Sequence, residues 1–186
     1  CIILSVFTPV LYYWATPAFI LFFPFLSSII TKRSHILLHS VYGLLIMISL
    51  LVNSTLYPLA SIWGDVDRET AILYGWKDIT EIVSDVKEEN GIKNVLFTDY
   101  RLASLYSFHS EDYSSDAIME DRDTQFDIWR KNTEIRNQRT LIICDDDFPL
   151  HKKIFDAFPV IDYMRSINVY RQSKNIKTYR VFIGKP

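Results

Sequence analysis

Residues 36–60, ILLHSVYGLLIMISLLVNSTLYPLA, contain no Asp, Glu, Lys or Arg. A helix needs about 20 apolar residues to cross a hydrocarbon core of roughly 30 Å, so this run is long enough to span a bilayer. Hydrocarbon satisfies no backbone polar group, so such a run is expected to be helical. His39 lies one turn in and reaches the interface, while Tyr57 and Trp63 suit the aromatic belt at the far end. The competing reading is a helix buried in a soluble core. Asn53-Ser54-Thr55 matches a glycosylation sequon. Its place inside the apolar run makes a chance match the better reading.

Charge divides the chain at the end of this run. Residues 1–64 carry only two charged side chains, Lys32 and Arg33. The other 18 basic and all 22 acidic residues fall in 65–186, a net charge of −4 for that part. The division predicts a membrane region over 1–64 and a water-soluble domain over 65–186. A mildly acidic domain lacks the clustered Lys and Arg that nucleic acid requires, so nucleic acid is not an expected partner.

Residues 1–31 carry no charge but include Pro9, Pro17 and Pro24. Each proline removes a backbone donor and clashes with the preceding turn, so one uninterrupted helix is not expected. Tyr12 to Pro17 reads as an interfacial break between a span ending near Leu11 and a second span, Pro17 to Thr31, kinked near Pro24. Two long apolar runs are unlike a secretory signal, which has one short run. The chain starts at Cys1 rather than Met, and it reads as a fragment of a longer protein or a product lacking its natural start. The loop Lys32-Arg33-Ser34-His35 is basic, and the positive-inside rule places it in the cytoplasm. The next span then carries the soluble part to the extracytoplasmic side of an inner (plasma) membrane.

In the soluble part, Trp76, Ile79, Ile82, Val83 and Val86 recur at helical spacing, and Gly91 stands where a helix C-terminal cap belongs. Asn94 to Thr98 reads as a buried strand. Asp99-Tyr100 opens a helix with Leu102, Ala103, Leu105, Tyr106 and Phe108 inward. A short strand is expected at 115–119, and a buried strand at Thr140 to Cys144 is stopped by Asp145-Asp146-Asp147. Pro149 to Phe158 reads as a short helix. Val160 to Tyr170 and Lys177 to Gly184 read as strands, with a hairpin around Ser173-Lys174-Asn175. Alternating helices and strands predict an α/β domain with a small, mostly parallel sheet, preceded by α-helical transmembrane segments.

Five glycines and no P-loop, GxGxxG, GxSxG or HExxH leave little for a phosphate-cradling or metalloprotease site. No cofactor or metal is expected. Asp145-Asp146-Asp147 follow a strand, where α/β folds bind ligands, but adjacent carboxylates do not all point one way, and a solvated turn is the simpler reading. His109 with Asp112, and His151, could join a site in space, but no metal-ligand spacing supports it, and each histidine reads as a surface histidine. Cys144, in the run Leu141-Ile142-Ile143-Cys144, reads as a buried free thiol. The candidate binding residues are Tyr100, within Asp99-Tyr100-Arg101 just past a strand, and Gln125, Asp127 and Trp129, within RDTQFDIW. An indole stacks on the apolar face of a sugar while Gln and Asp bond its hydroxyls. The alternative is that Phe126 and Trp129 are core residues of a loop closing the sheet.

Gly75-Trp76, Asp99-Tyr100 with Ala103 and Phe108, and Arg122 with Gln125-Phe126-Asp127-Ile128-Trp129 resemble the C-terminal domain of bacterial polyprenol-phosphate-dependent glycosyltransferases. That group is similar to the dolichyl-phosphate-mannose protein mannosyltransferases and the aminoarabinose transferase of lipid A. Tyr13-Trp14-Ala15-Thr16-Pro17-Ala18 resembles the Trp-Pro-Ala-Pro-like break before one of the family's later spans. The resemblance covers most of the chain. It implies a multi-span enzyme with a soluble C-terminal domain outside the cytoplasm, a polyprenyl-phosphate sugar as donor, and a lipid or glycan acceptor. The family's catalytic carboxylates lie in an early extracytoplasmic loop, and no residue here matches them, so no catalytic residue is assigned. The alternative from another class is a non-catalytic, membrane-anchored module that binds glycan or scaffolds an envelope complex.

Overall fold

The computed structural model describes residues 30, 32–59, 62, 71–129, 135 and 137–186. The chain divides into two compact units, Cys1–Pro58 and Leu59–Pro186. The expected spans within 1–31, and the expected boundary at residues 64 and 65, lie outside the described residues.

In the first unit, helix α1 (Arg33–Leu51) continues into a π-helical turn, Val52–Leu56. Together they run 24 residues, and an 18-residue stretch reaches a mean hydropathy of 2.0 with none of it buried in protein. Apolar side chains point in all directions, so the helix has no polar face for water. Ser49 and Thr55 turn their hydroxyls back to the carbonyls of Leu45 and Leu51, at 2.8 and 2.7 Å, which satisfies them without water. Among the described residues, this is the one helix long and apolar enough to cross a membrane.

The second unit is a mixed five-stranded sheet with helices on both faces. Helix α2 (Trp76–Asn90) buries Trp76, Ile79, Val83 and Val86, the stripe its spacing predicts. It ends on Gly91 in the left-handed conformation, whose N–H closes onto the Glu88 carbonyl. Strand β1 (Asn94–Phe97) leads into α3 (Tyr100–Ser110), then β2 (Ser115–Ala117), the short helix α4 (Gln125–Trp129) and β3 (Thr140–Asp145). Helix α5 (Lys152–Ala157) precedes a long hairpin of β4 (Val160–Arg171) and β5 (Lys174–Lys185). The strand order is β2-β1-β3-β5-β4.

The expectation of a mostly parallel sheet requires correction. β1 pairs in parallel with β2 and β3, but β5 pairs antiparallel with both β3 and β4. The reason is the turn. Only Gln172 and Ser173 separate β4 from β5, both at positive φ, 51° and 65°. A two-residue turn of that hand joins antiparallel strands alone. The hairpin turn therefore falls at 172–173 rather than 173–175. A second correction concerns α3: Leu102, Ala103 and Tyr106 are buried, but Phe108 is 78% exposed. Two residues past Tyr106 is about 200° around a helix, which turns Phe108 to solvent.

Alternation along the strands makes two cores. Val95, Phe97, Leu141, Ile143, Tyr179 and Val181 face α2 and α3, while Leu96 and Ile142 face Ile154 and Phe158 on the α5 side. Cys144 is buried as expected, and burial foremost pushes its thiol up to about 11.

Candidate functional site

The chain leaves β1 toward β2 on one side and returns to β3 on the other, so the strand order reverses between β1 and β3. In open α/β sheets, ligands bind beyond the carboxyl ends of the strands at such a point. Here Asp99 follows β1 and Asp145 ends β3, and both carboxylates are buried.

The crevice is filled by the protein's own side chains. The antiparallel arrival of β5 sets Tyr179 opposite Asp145 and brings Lys177 over it. The Lys177 ammonium lies 2.8 Å from Asp145 Oδ2 and 2.6 Å from Asp147 Oδ2. Burial disfavours that charge, but the two carboxylates outweigh it and raise the lysine's pKa. Arg180 pairs with Asp146. Asp146 and Asp147 form an exposed turn, as expected, with their side chains 65% and 47% exposed, while Asp145 is buried beneath Lys177. Among the described residues, no group of three or more His, Cys, Asp or Glu side chains converges as a metal site.

Asp99 caps α3. Its Oδ1 accepts from the Arg101 backbone N–H at 2.9 Å, and its Oδ2 accepts from Arg101 Nε at 2.8 Å. The pairing with Asp99 raises the Arg101 pKa, and the guanidinium also covers the Phe148 ring at 4.9 Å. The Tyr179 hydroxyl is fully buried with no hydrogen-bond partner among the described residues. Burial first, then Asp145, Asp147 and Asp99, push its ionisation up.

A more open surface lies beside this plug, past the ends of β1 and β2. Tyr100, the first residue of α3, is half-buried against the core, and Arg122 lays its guanidinium 5.2 Å from the Tyr100 ring centre. Helix α4 follows and packs beside β2. The Thr124 N–H and hydroxyl donate to Asp127 Oδ2 at 2.6 and 2.9 Å, which fixes the first turn of α4. Asp127 is therefore engaged within α4. Gln125 is exposed. Phe126 packs on the core, and Trp129 meets it edge-on at 5.9 Å between ring centres. Trp129 is itself 70% exposed and its neighbour Ile128 76% exposed, so Trp129 is not a core residue.

The histidines part company. His151 is buried, with Nε2 2.9 Å from the Ile118 carbonyl, which corrects its reading as a surface residue. His109 is exposed and stacks on Trp76, with rings 6.2 Å apart and 5° from parallel. Asp112 instead pairs with Lys87 across a polar groove between α2 and α3. Burial pushes the Asp112 carboxyl up, but Lys87 and Ser114 outweigh it and hold it at about 2.

The plug was not legible as a site from the sequence, because Lys177 and Tyr179 lie more than 30 positions from Asp145. Alternation in β5 places both on one face, but only strand pairing shows which strand they meet. Comparison with family models, curated proteins and solved structures returned no match.

Proposed function

We propose that this chain is the C-terminal portion of an integral-membrane glycosyltransferase, one that moves a sugar from a polyprenyl-phosphate donor to a lipid or glycan acceptor. Catalytic carboxylates are supplied from outside this chain, and the domain over 65–186 meets substrate on the extracytoplasmic side. One observation carries the reading. Tyr100 and Arg122, 22 positions apart in the family-like pattern, meet with the guanidinium 5.2 Å from the ring centre, and α4 follows Arg122 with Gln125 and Trp129 exposed. Gln125 is exposed and takes no part in the capping that occupies Asp127, and Trp129 is 70% exposed, an indole of the kind that stacks on a pyranose.

The plugged crevice favours a second reading, a non-catalytic membrane-anchored glycan-binding or scaffolding module, because it commits the usual ligand position of the fold to internal ion pairs.

Sugar transfer by the complete protein in membranes, supplied with polyprenyl-phosphate sugars, separates the two. Gln125→Ala should lower transfer at least tenfold with the domain still folded. Asp127→Ala should lower it as well, through loss of the α4 cap, at a stability cost of about 1 kcal/mol. Transfer unchanged in Gln125→Ala removes the substrate role of this surface. Sugar binding without transfer, in the complete protein, supports the second reading.

A further inference from the structure

We infer that β4, the open edge of the five-stranded sheet, pairs antiparallel with β4 of a second copy of this chain, about a two-fold axis at Ile167. The inference goes beyond the proposed function and stands whether or not the chain takes part in sugar transfer.

β4 ends the strand order, and among the described residues no strand pairs with its outer side. The outward N–H and C=O groups of this 12-residue strand form a row that fits an extended strand as its occupant. The side chains beside that row are open as well. Asp162 to Ser166, Asn168 and Tyr170 are exposed, Tyr163 to 57% and Tyr170 to 62%. The sequence of β4 selects β4 itself as the occupant. Against β5 it carries one extra residue, Met164, between Tyr163 opposite Phe182 and Arg165 opposite Val181. Alternation on either side of this bulge puts Tyr163, Ser166, Asn168 and Tyr170 on one face, and Asp162, Arg165, Ile167, Val169 and Arg171 on the other. The Tyr163 hydroxyl, 3.0 Å from Ser166 Oγ, agrees with that division. Directly opposite residues of paired strands share a face. An axis at Ile167 sets Ser166 opposite Asn168, and Arg165 opposite Val169, of the second copy. Past the same bulge, Tyr163 meets Tyr170 and Asp162 meets Arg171 of the second copy. Each of these pairs shares a face, and the two-fold makes each of them twice. Two aromatic pairs and two opposite-charge pairs thus flank the axis, and both kinds are favoured across strands. An axis at Asn168 would put Arg165 opposite Arg171, and one at Ser166 would put Asp162 opposite Val169, so neither neighbouring axis gives this match. A closed two-fold contact also removes the open edge from both copies.

The test uses the full chain, with Cys1→Ser, in detergent micelles; Cys144 is buried and does not compete. Two differently tagged copies, one with Ser166→Cys and one with Asn168→Cys, are mixed and mildly oxidised. Opposite residues of antiparallel strands have Cα atoms about 4.5–5.5 Å apart, within disulfide reach. The expected result is a cross-link between positions 166 and 168 of different copies. It should form at least fivefold more than with Ser166→Cys in both copies, or with Phe155→Cys, exposed on α5, in both copies. Sedimentation equilibrium should show a dimer. Asp162→Arg and Arg171→Asp set like charges opposite each other, and each should weaken the dimer at least tenfold. The double variant Asp162→Arg with Arg171→Asp should restore it to within about threefold. Within one copy Asp162 pairs with Lys185, and Arg171 covers the Tyr74 ring. The double variant loses both contacts, so its recovery reports pairing between copies and not repair of the fold. A cross-link no stronger than in the two controls, or a double variant as weak as the single ones, overturns the inference. A dimer indifferent to both substitutions also overturns it and places the association elsewhere in the chain. A monomer overturns it and leaves the edge to an extended segment of another protein.

Discussion

Gly184 sits in β5, and a Cβ there would lie 2.7 Å from both Ile142 Cδ1 and Phe158 Cδ1. The end of Ile142 can swing aside, but the Phe158 ring is fully buried and cannot. Gly184→Ala should therefore cost about 1–3 kcal/mol, the range for overpacking a tight core. Urea unfolding of the detergent-solubilised chain, followed by tryptophan fluorescence, checks this, and Phe158→Leu should recover part of the loss in the double variant. A second residue-scale effect concerns pH. The Asp112 carboxyl is held at about 2 against an ordinary 3.8. A carboxyl whose folded value is depressed contributes stability above its unfolded value, and the contribution is lost as pH falls through the folded value. Asp112→Asn should therefore lower stability at pH 5–7 and flatten the decline between about pH 4 and pH 2. Parallel acid-denaturation curves for the two proteins would reject the Lys87–Asp112 pair as a contributor.

The hairpin of β4 and β5 is the element that most departs from expectation, and its turn is made of residues poorly suited to it. Gln172 and Ser173 both hold positive φ, a conformation that Asn and Gly adopt at less cost. Gln172→Asn with Ser173→Gly should stabilise the domain by about 1 kcal/mol and leave the fold unchanged, read as a shift in urea midpoint at constant slope. An unchanged midpoint would mean that the native turn carries no strain. The short elements α3 and α4 show a different principle. Each begins with a side chain that satisfies its own first turn, Asp99 for α3 and the Thr124–Asp127 pair for α4. The same Asp-containing segments that suggest binding chemistry in the sequence thus also serve as helix caps.

At the scale of the molecule, the segregation of charge predicts an orientation. With Lys32-Arg33 in the cytoplasm and one span between that loop and the soluble domain, Pro186 lies outside the cytoplasm. A phosphatase reporter active only outside the cytoplasm, fused after Pro186, should be active, and a cytoplasm-dependent fluorescent reporter at the same junction should be dark. The reverse pattern would reverse the topology and remove any access of α4 to extracytoplasmic substrate.

The sequence by itself was enough for whatever depends on neighbours along the chain. The charge-free run 36–60 specifies an apolar helix, the Trp76–Val86 stripe and Gly91 specify α2 and its end, and the runs at 94–98 and 140–144 specify the buried strands found at Asn94–Phe97 and Thr140–Asp145. Helical period, strand alternation and end-capping are local properties, so they survive without knowledge of the fold. Sheet direction, the exposure of Trp129 and the burial of His151 depend on which distant segments meet. Val160–Lys185 reads equally well as two strands of either sense until the positive-φ pair at 172–173 turns it antiparallel. That turn is what delivers Lys177 and Tyr179 to Asp145. The position where an α/β sheet would offer a ligand crevice is filled because of a strand pairing more than 30 residues away, which only the tertiary structure decides.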